Sequence, residues 1–128
     1  MKILKSAAIA FSLTVAMGAF STAAVAESDP GRVSYSPSDV IKEVSARIDA
    51  AEAAINNGAS AEETAALIKK ARDFTKELNA NDKVARETAK VRDHMKAAEK
   101  SVKEANSSEA KVHLQKAKEV NEGLKKLL

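Results

Sequence analysis

The chain has 128 residues, 21 Lys+Arg against 18 Asp+Glu, two histidines, and neither cysteine nor tryptophan. That length fits one small domain with one core. The missing thiol excludes a cysteine nucleophile, zinc–thiolate ligation, disulfides and covalent haem attachment. Interspersed charges give no concentrated basic surface of the kind nucleic acid requires.

Residues 1–26 read as a secretory signal peptide. Lys2 and Lys5 form a basic start, an uncharged apolar stretch follows, and Ala24-Val25-Ala26 makes a cleavage site before Glu27. The apolar stretch is shorter than the roughly 20 residues that span a bilayer, so export rather than stable membrane insertion is expected. Removing the two signal lysines leaves 19 − 18 = +1 on a mature chain of 128 − 26 = 102 residues. Periplasmic or secreted localisation follows from this reading.

Residues 27–36 hold Pro30 and Gly31 and lack periodicity; they read as a flexible lead. Residues 37–128 read as a helical bundle. Ser36 is a candidate N-cap, Pro37 suits the first helical position, and Asp39 sits in the positive first turn. Ile41, Val44, Ile48, Ala51 and Ile55 then recur at helical spacing. Gly58 ends the first helix, and Ser60 with Glu63 reads as a capping box for the second. The apolar face of the second helix is Leu67, Ile68, Ala71, Phe74 and Leu78.

"NANDK" marks the next break, with Asn81 as N-cap candidate. It lacks Gly and Pro, so a continuous second and third helix, paired with a second chain, is the alternative. The third helix carries Val84, Val91, Met95, Ala98 and Val102; after "ANSS" the fourth carries Ala110, Leu114, Ala117, Val120, Leu124 and Leu127. Asn106 and Glu109 form the cap between them.

The two halves repeat. Val44, Ile48, Ala51, Glu52 and Ile55 match Val91, Met95, Ala98, Glu99 and Val102 at an offset of 47. After a one-residue loss in the turn, Ser60, Glu63, Ile68, Ala71 and Leu78 match Asn106, Glu109, Leu114, Ala117 and Leu124 at 46. Two hairpins, each with one apolar stripe, predict an all-α, antiparallel four-helix bundle, as monomer or homodimer.

No phosphate loop, nucleophile elbow or H-E-x-x-H is present, so an enzyme is not expected. Neither histidine follows a Glu at the spacing of a di-iron bundle. A b-type haem between Met95 and His113 would need ligands at one level. Counted from Asn106, these two lie about four residues apart along the axis, or roughly 6 Å. The better site is a mixed oxygen and nitrogen one for copper or nickel: His113, Glu109 one helical turn before it, and Glu99 facing it across the hairpin. His94 falls on a flanking position, expected to be exposed and about five residues off the level of His113, hence a separate minor site. In the first hairpin Arg47 and Leu67 stand at the matching positions.

The stretches "HMKAAEKSVKEANSSEAKVHLQKAKEVNEGLKK" and "AEAAINNGASAEETAALIKKARDFTKEL" resemble the small periplasmic metal-binding protein family over residues 40–127. That resemblance implies a two-repeat four-helix bundle that binds divalent metals, copper especially, through helix histidines. Of such histidines this chain has only His94 and His113. The chain is also similar in size and architecture to the soluble four-helix b-type cytochromes, without their terminal Met and His ligands. The expected function is an exported, non-enzymatic binding protein that holds or buffers a divalent metal. The alternatives are a structural or protein-interaction module with no ligand and, third, a haem electron carrier.

Overall fold

The computed structural model describes residues 34–128; the expected signal peptide, residues 1–26, and most of the expected lead lie outside them. Four helices follow in order: α1 (Pro37–Asn56), α2 (Ala61–Phe74), α3 (Asp82–Lys103) and α4 (Ser107–Gly123). Short 3-10 turns, Thr75–Glu77 and Leu124–Leu127, extend α2 and α4. Each helix packs on its chain neighbours, and α4 closes the ring on α1. This is the all-α, up-and-down bundle of two hairpins that the sequence predicts.

The ends are built by the residues expected to build them. The side chains of Ser36, Ser60, Asn81 and Asn106 accept from the backbone N–H groups of Asp39, Glu63, Val84 and Glu109, at 3.0–3.2 Å. Each satisfies one of the donors a helix start leaves without a partner. The capping boxes are incomplete: Glu109 turns its carboxylate to the Asn106 side-chain amide at 2.8 Å, because the Asn106 backbone N–H bonds Ser101 O.

The chain breaks between α2 and α3. Leu78 is extended, and Asn81 both caps α3 and donates its side-chain amide to Leu127 O at 2.9 Å. The continuous-helix alternative therefore does not occur, and one chain closes its own core. The first helix begins at Pro37, and the residues just before it pack on the bundle. The Tyr35 ring meets the Phe74 ring edge-on at 5.1 Å, which ties the end of the lead to the core.

The repeat is visible in the turns. Gly58 and Ala105 are equivalent at the offset of 47, and both take positive φ, +75° and +60°. Around each runs the same pair of turn bonds: Gly58 N–H to Ile55 O with Ala59 N–H to Ala54 O, and Ala105 N–H to Val102 O with Asn106 N–H to Ser101 O. The residue lost between copies is Ala59. In the second hairpin Asn106 both closes the turn and caps α4, two tasks divided in the first between Ala59 and Ser60.

The core is almost wholly aliphatic. Val44, Ile48, Ala51, Ile68, Ala71 and their partners Val91, Met95, Ala98, Leu114, Ala117 are all within 1% of full burial. A second cluster, Ile41, Val84 and Leu124, fills the end near the α2–α3 break. Polar groups are buried too. Thr75 and Thr88 return their hydroxyls to carbonyls of their own helices, Arg72 O and Val84 O. Asn121, 1% exposed, donates across the α1–α4 seam to Ile41 O at 2.8 Å and to Ser45 Oγ at 2.9 Å. Outside it, Lys118 donates to Asp49 at 2.8 Å, a bond that raises the lysine above its ordinary pKa. The stabilisation from this pair is present below the ordinary lysine range and lost as pH rises through the raised value.

Two outcomes follow. An alanine at φ +60° is strained where glycine is not, so Ala105→Gly is expected to stabilise by about 1 kcal/mol, and Gly58→Ala to destabilise similarly. Thermal unfolding followed by circular dichroism reads both, and a lowered midpoint for Ala105→Gly would contradict the turn assignment. Asn121→Ala loses two cross-seam bonds and leaves a void, for an expected cost of about 2–3 kcal/mol in urea unfolding. A cost near zero would show that the buried amide does not hold α4 on α1.

Candidate functional site

The chain's only two histidines meet. His94 of α3 and His113 of α4 lie with ring centroids 6.4 Å apart and ring planes 28° from parallel. Both are half-buried at the α3–α4 seam. The sequence reading set them on different levels with His94 exposed. The count there started from Asn106, but the turn is centred nearer Ala105, midway between Lys103 and Ser107. His94 is then eleven residues before the centre and His113 eight after it. The axial offset drops to about 4.5 Å, which two imidazole side chains bridge.

His113 is held loosely. Its Nε2 is 3.5 Å from Glu109 Oε1, one helical turn earlier, at the outer limit of a hydrogen bond. Its Nδ1 is buried with no hydrogen-bond partner, the sole such side-chain atom among the described residues. A buried polar atom without a partner costs about 1–3 kcal/mol. Leu67, its mate in the first hairpin, has the same half-buried setting and no such cost.

Glu109 is shared. One carboxylate oxygen faces His113 while the other accepts from Asn106. Glu99 is not brought to this pair. It accepts from Arg72 of α2 at 2.9 Å, in a mostly buried ion pair, and from the exposed Lys103 at 3.2 Å. Glu99 therefore serves the α2–α3 seam, and the three-ligand arrangement Glu99–Glu109–His113 is not formed. Among the described residues no group of three His, Asp or Glu converges closely enough to hold a metal ion. Met95 is fully buried in the main core cluster, and the third alternative, a haem held by Met95 and His113, would have to draw its sulfur out of that packing.

The pair nonetheless has the nitrogen chemistry of a borderline-soft cation site. Two imidazoles on one ion, each at ~2.0–2.1 Å, bring their ring centres to within roughly 6.5 Å. The observed 6.4 Å lies at that limit. In the first hairpin the same two positions hold Arg47 and Leu67, and Arg47 lies over the Phe74 ring at 4.4 Å while pairing with Glu43. There the positions are structural; in the second hairpin they are free of that task.

No protein-family model, curated protein or solved structure matches the chain. No helix of the described residues is long and apolar enough to cross a membrane.

The orphaned nitrogen gives a direct outcome. His113→Leu, which copies Leu67, is expected to raise stability by about 1 kcal/mol, with a midpoint higher by roughly 4–8 °C. Thermal unfolding without added metal measures it. A loss of stability instead would mean that the imidazole is a packing requirement of the fold.

Proposed function

We propose that this protein is an exported, non-enzymatic binding protein that takes up a divalent metal, copper or nickel, weakly and reversibly. His94 and His113 supply the two nitrogens, and Glu109 an outer carboxylate oxygen. The observation that carries the reading is the meeting of the only two histidines across the α3–α4 seam. Export rests on the signal-peptide pattern of residues 1–26, and the resemblance to the small periplasmic metal-binding proteins points the same way. Glu99 drops out of the ligand set because Arg72 and Lys103 occupy it.

The chemistry is capture, not catalysis. Imidazole nitrogens favour copper and nickel over magnesium and calcium, and a half-buried seam leaves positions open to water. Two nitrogens and one shared carboxylate make a weak site that exchanges its ion readily. The competing reading is a ligand-free structural or interaction module. It is favoured by the ion pairs that already hold Glu99 and by the cap that already uses Glu109.

Calorimetric titration of the full chain with Cu²⁺ and Ni²⁺ separates the two. One ion per chain is expected, with affinity reduced at least about tenfold by either His94→Ala or His113→Ala, since each removes one of two nitrogen ligands. Magnesium should give no heat. Equal binding by the double variant would sink the metal reading and leave the interaction module.

A further inference from the structure

A second feature lies at the opposite end of the same hairpin, where α3 begins and α4 ends. A groove of about 440 Å³ runs there, floored by Val120, Leu124 and Leu127 and rimmed by Lys83, Arg86 and Lys126. Its volume is in the range of small-molecule sites. The one acid on the rim, Glu87, is paired with Lys90 at 2.8 Å. Among the described residues none of the three rim cations has an ion-pair partner.

The first hairpin has a groove of about 430 Å³ at its matching end, lined by Ser36, Ala80 and Leu128, without cations. At the offsets of 47 and 46, Lys83, Arg86 and Lys126 correspond to Ser36, Asp39 and Ala80 of the first hairpin. Val120 corresponds to Phe74, whose ring meets that of Tyr35 edge-on. What sets the second copy apart is charge, with three cations where the first has serine, aspartate and alanine.

Gly123 carries the point further. It lines the groove and ends α4 with ordinary helical geometry, φ −64° and ψ −19°. A Cβ built on it meets nothing within 4 Å, so neither backbone conformation nor close packing requires glycine. Its repeat mate is Glu77. Glycine in a helix costs about 0.5–1 kcal/mol relative to alanine. Here its one evident effect is to keep the groove clear.

We propose that this groove binds the free anion of a single-chain amphiphile, a medium-chain fatty-acid carboxylate. The chain would lie along Val120, Leu124 and Leu127 over Gly123. The carboxylate would take the fork of Arg86 and the ammonium groups of Lys83 and Lys126. This site is independent of the histidine pair.

The experiment is titration of the isotope-labelled full chain with decanoate below its micelle concentration, followed by amide chemical shifts. Saturable shifts centred on Lys83, Arg86 and Gly123 are expected. Decanol and decyltrimethylammonium should bind at least about tenfold more weakly, since they lack the charge-assisted contacts. Gly123→Phe and Val120→Phe should abolish the shifts by filling the groove, and Lys83→Ala/Arg86→Ala should weaken binding by about tenfold or more. Circular dichroism verifies that each variant folds, and any one folded variant suffices for the test. Equal binding of the three amphiphiles, shifts scattered over the surface, or unchanged binding by a folded variant would overturn the proposal. So would attachment of this end to anionic phospholipid vesicles with no response to free decanoate.

Discussion

The bundle depends on a break in the chain between α2 and α3. Each hairpin has one apolar stripe and cannot bury it alone. Whether the second stripe comes from the same chain or another is decided at Leu78–Asn81. The residues there carry neither proline nor glycine, so nothing forbids a continuous helix. What redirects the chain is the Asn81 side chain, which caps α3 with its oxygen and ties to Leu127 O with its amide. The bond to Leu127 couples the break to the far end of the chain, so the return of α3 and the docking of α4 reinforce one another. The Asn121 amide completes closure by fastening α4 to α1 from within the core.

Duplication then separates what the fold needs from what it tolerates. The aliphatic positions, the positive-φ residue after the first helix of each hairpin, and the N-caps recur in both copies. The differences lie elsewhere. Arg47 and Leu67, bound into packing in the first hairpin, become His94 and His113 in the second; Phe74 and Glu77 become Val120 and Gly123. The second copy gives up the stacking of Arg47 on Phe74 and of Phe74 against Tyr35. His113 carries a buried nitrogen without a partner, and Gly123 a backbone freedom its geometry does not use. Locally unfavourable choices that have no structural return are where function is sought.

Helix number, caps and the apolar stripes were legible in the sequence because they are local: periods of three and four, and cap residues three positions from their targets. Ser36, Ser60, Asn81 and Asn106 all do as their positions require. The buried polar residues were not legible. Thr75, Thr88, Ser101 and Asn121 read as solvent-facing types, yet are all under 7% exposed. For the threonines the hydroxyl is satisfied by the same helix; for Asn121 the partner is 80 residues away, which no local pattern reveals. The candidate site was legible in part. His113 and Glu109 share a helix and their spacing placed them together. Glu99 went to Arg72, a partner on another helix that a hairpin count does not include. The meeting of His94 with His113 was missed through one residue in locating the turn, since Ala105 gives no sequence sign of its left-handed conformation.

The central claim is that the two imidazoles act together on one ion. Electron paramagnetic resonance of the full chain with one equivalent of Cu²⁺ tests it most directly, because nitrogen ligands split the copper signal according to their number. The account predicts the pattern of two imidazole nitrogens, reduced to one by His94→Ala. A one-nitrogen pattern in the unaltered chain, or the signal of hydrated copper, would contradict it.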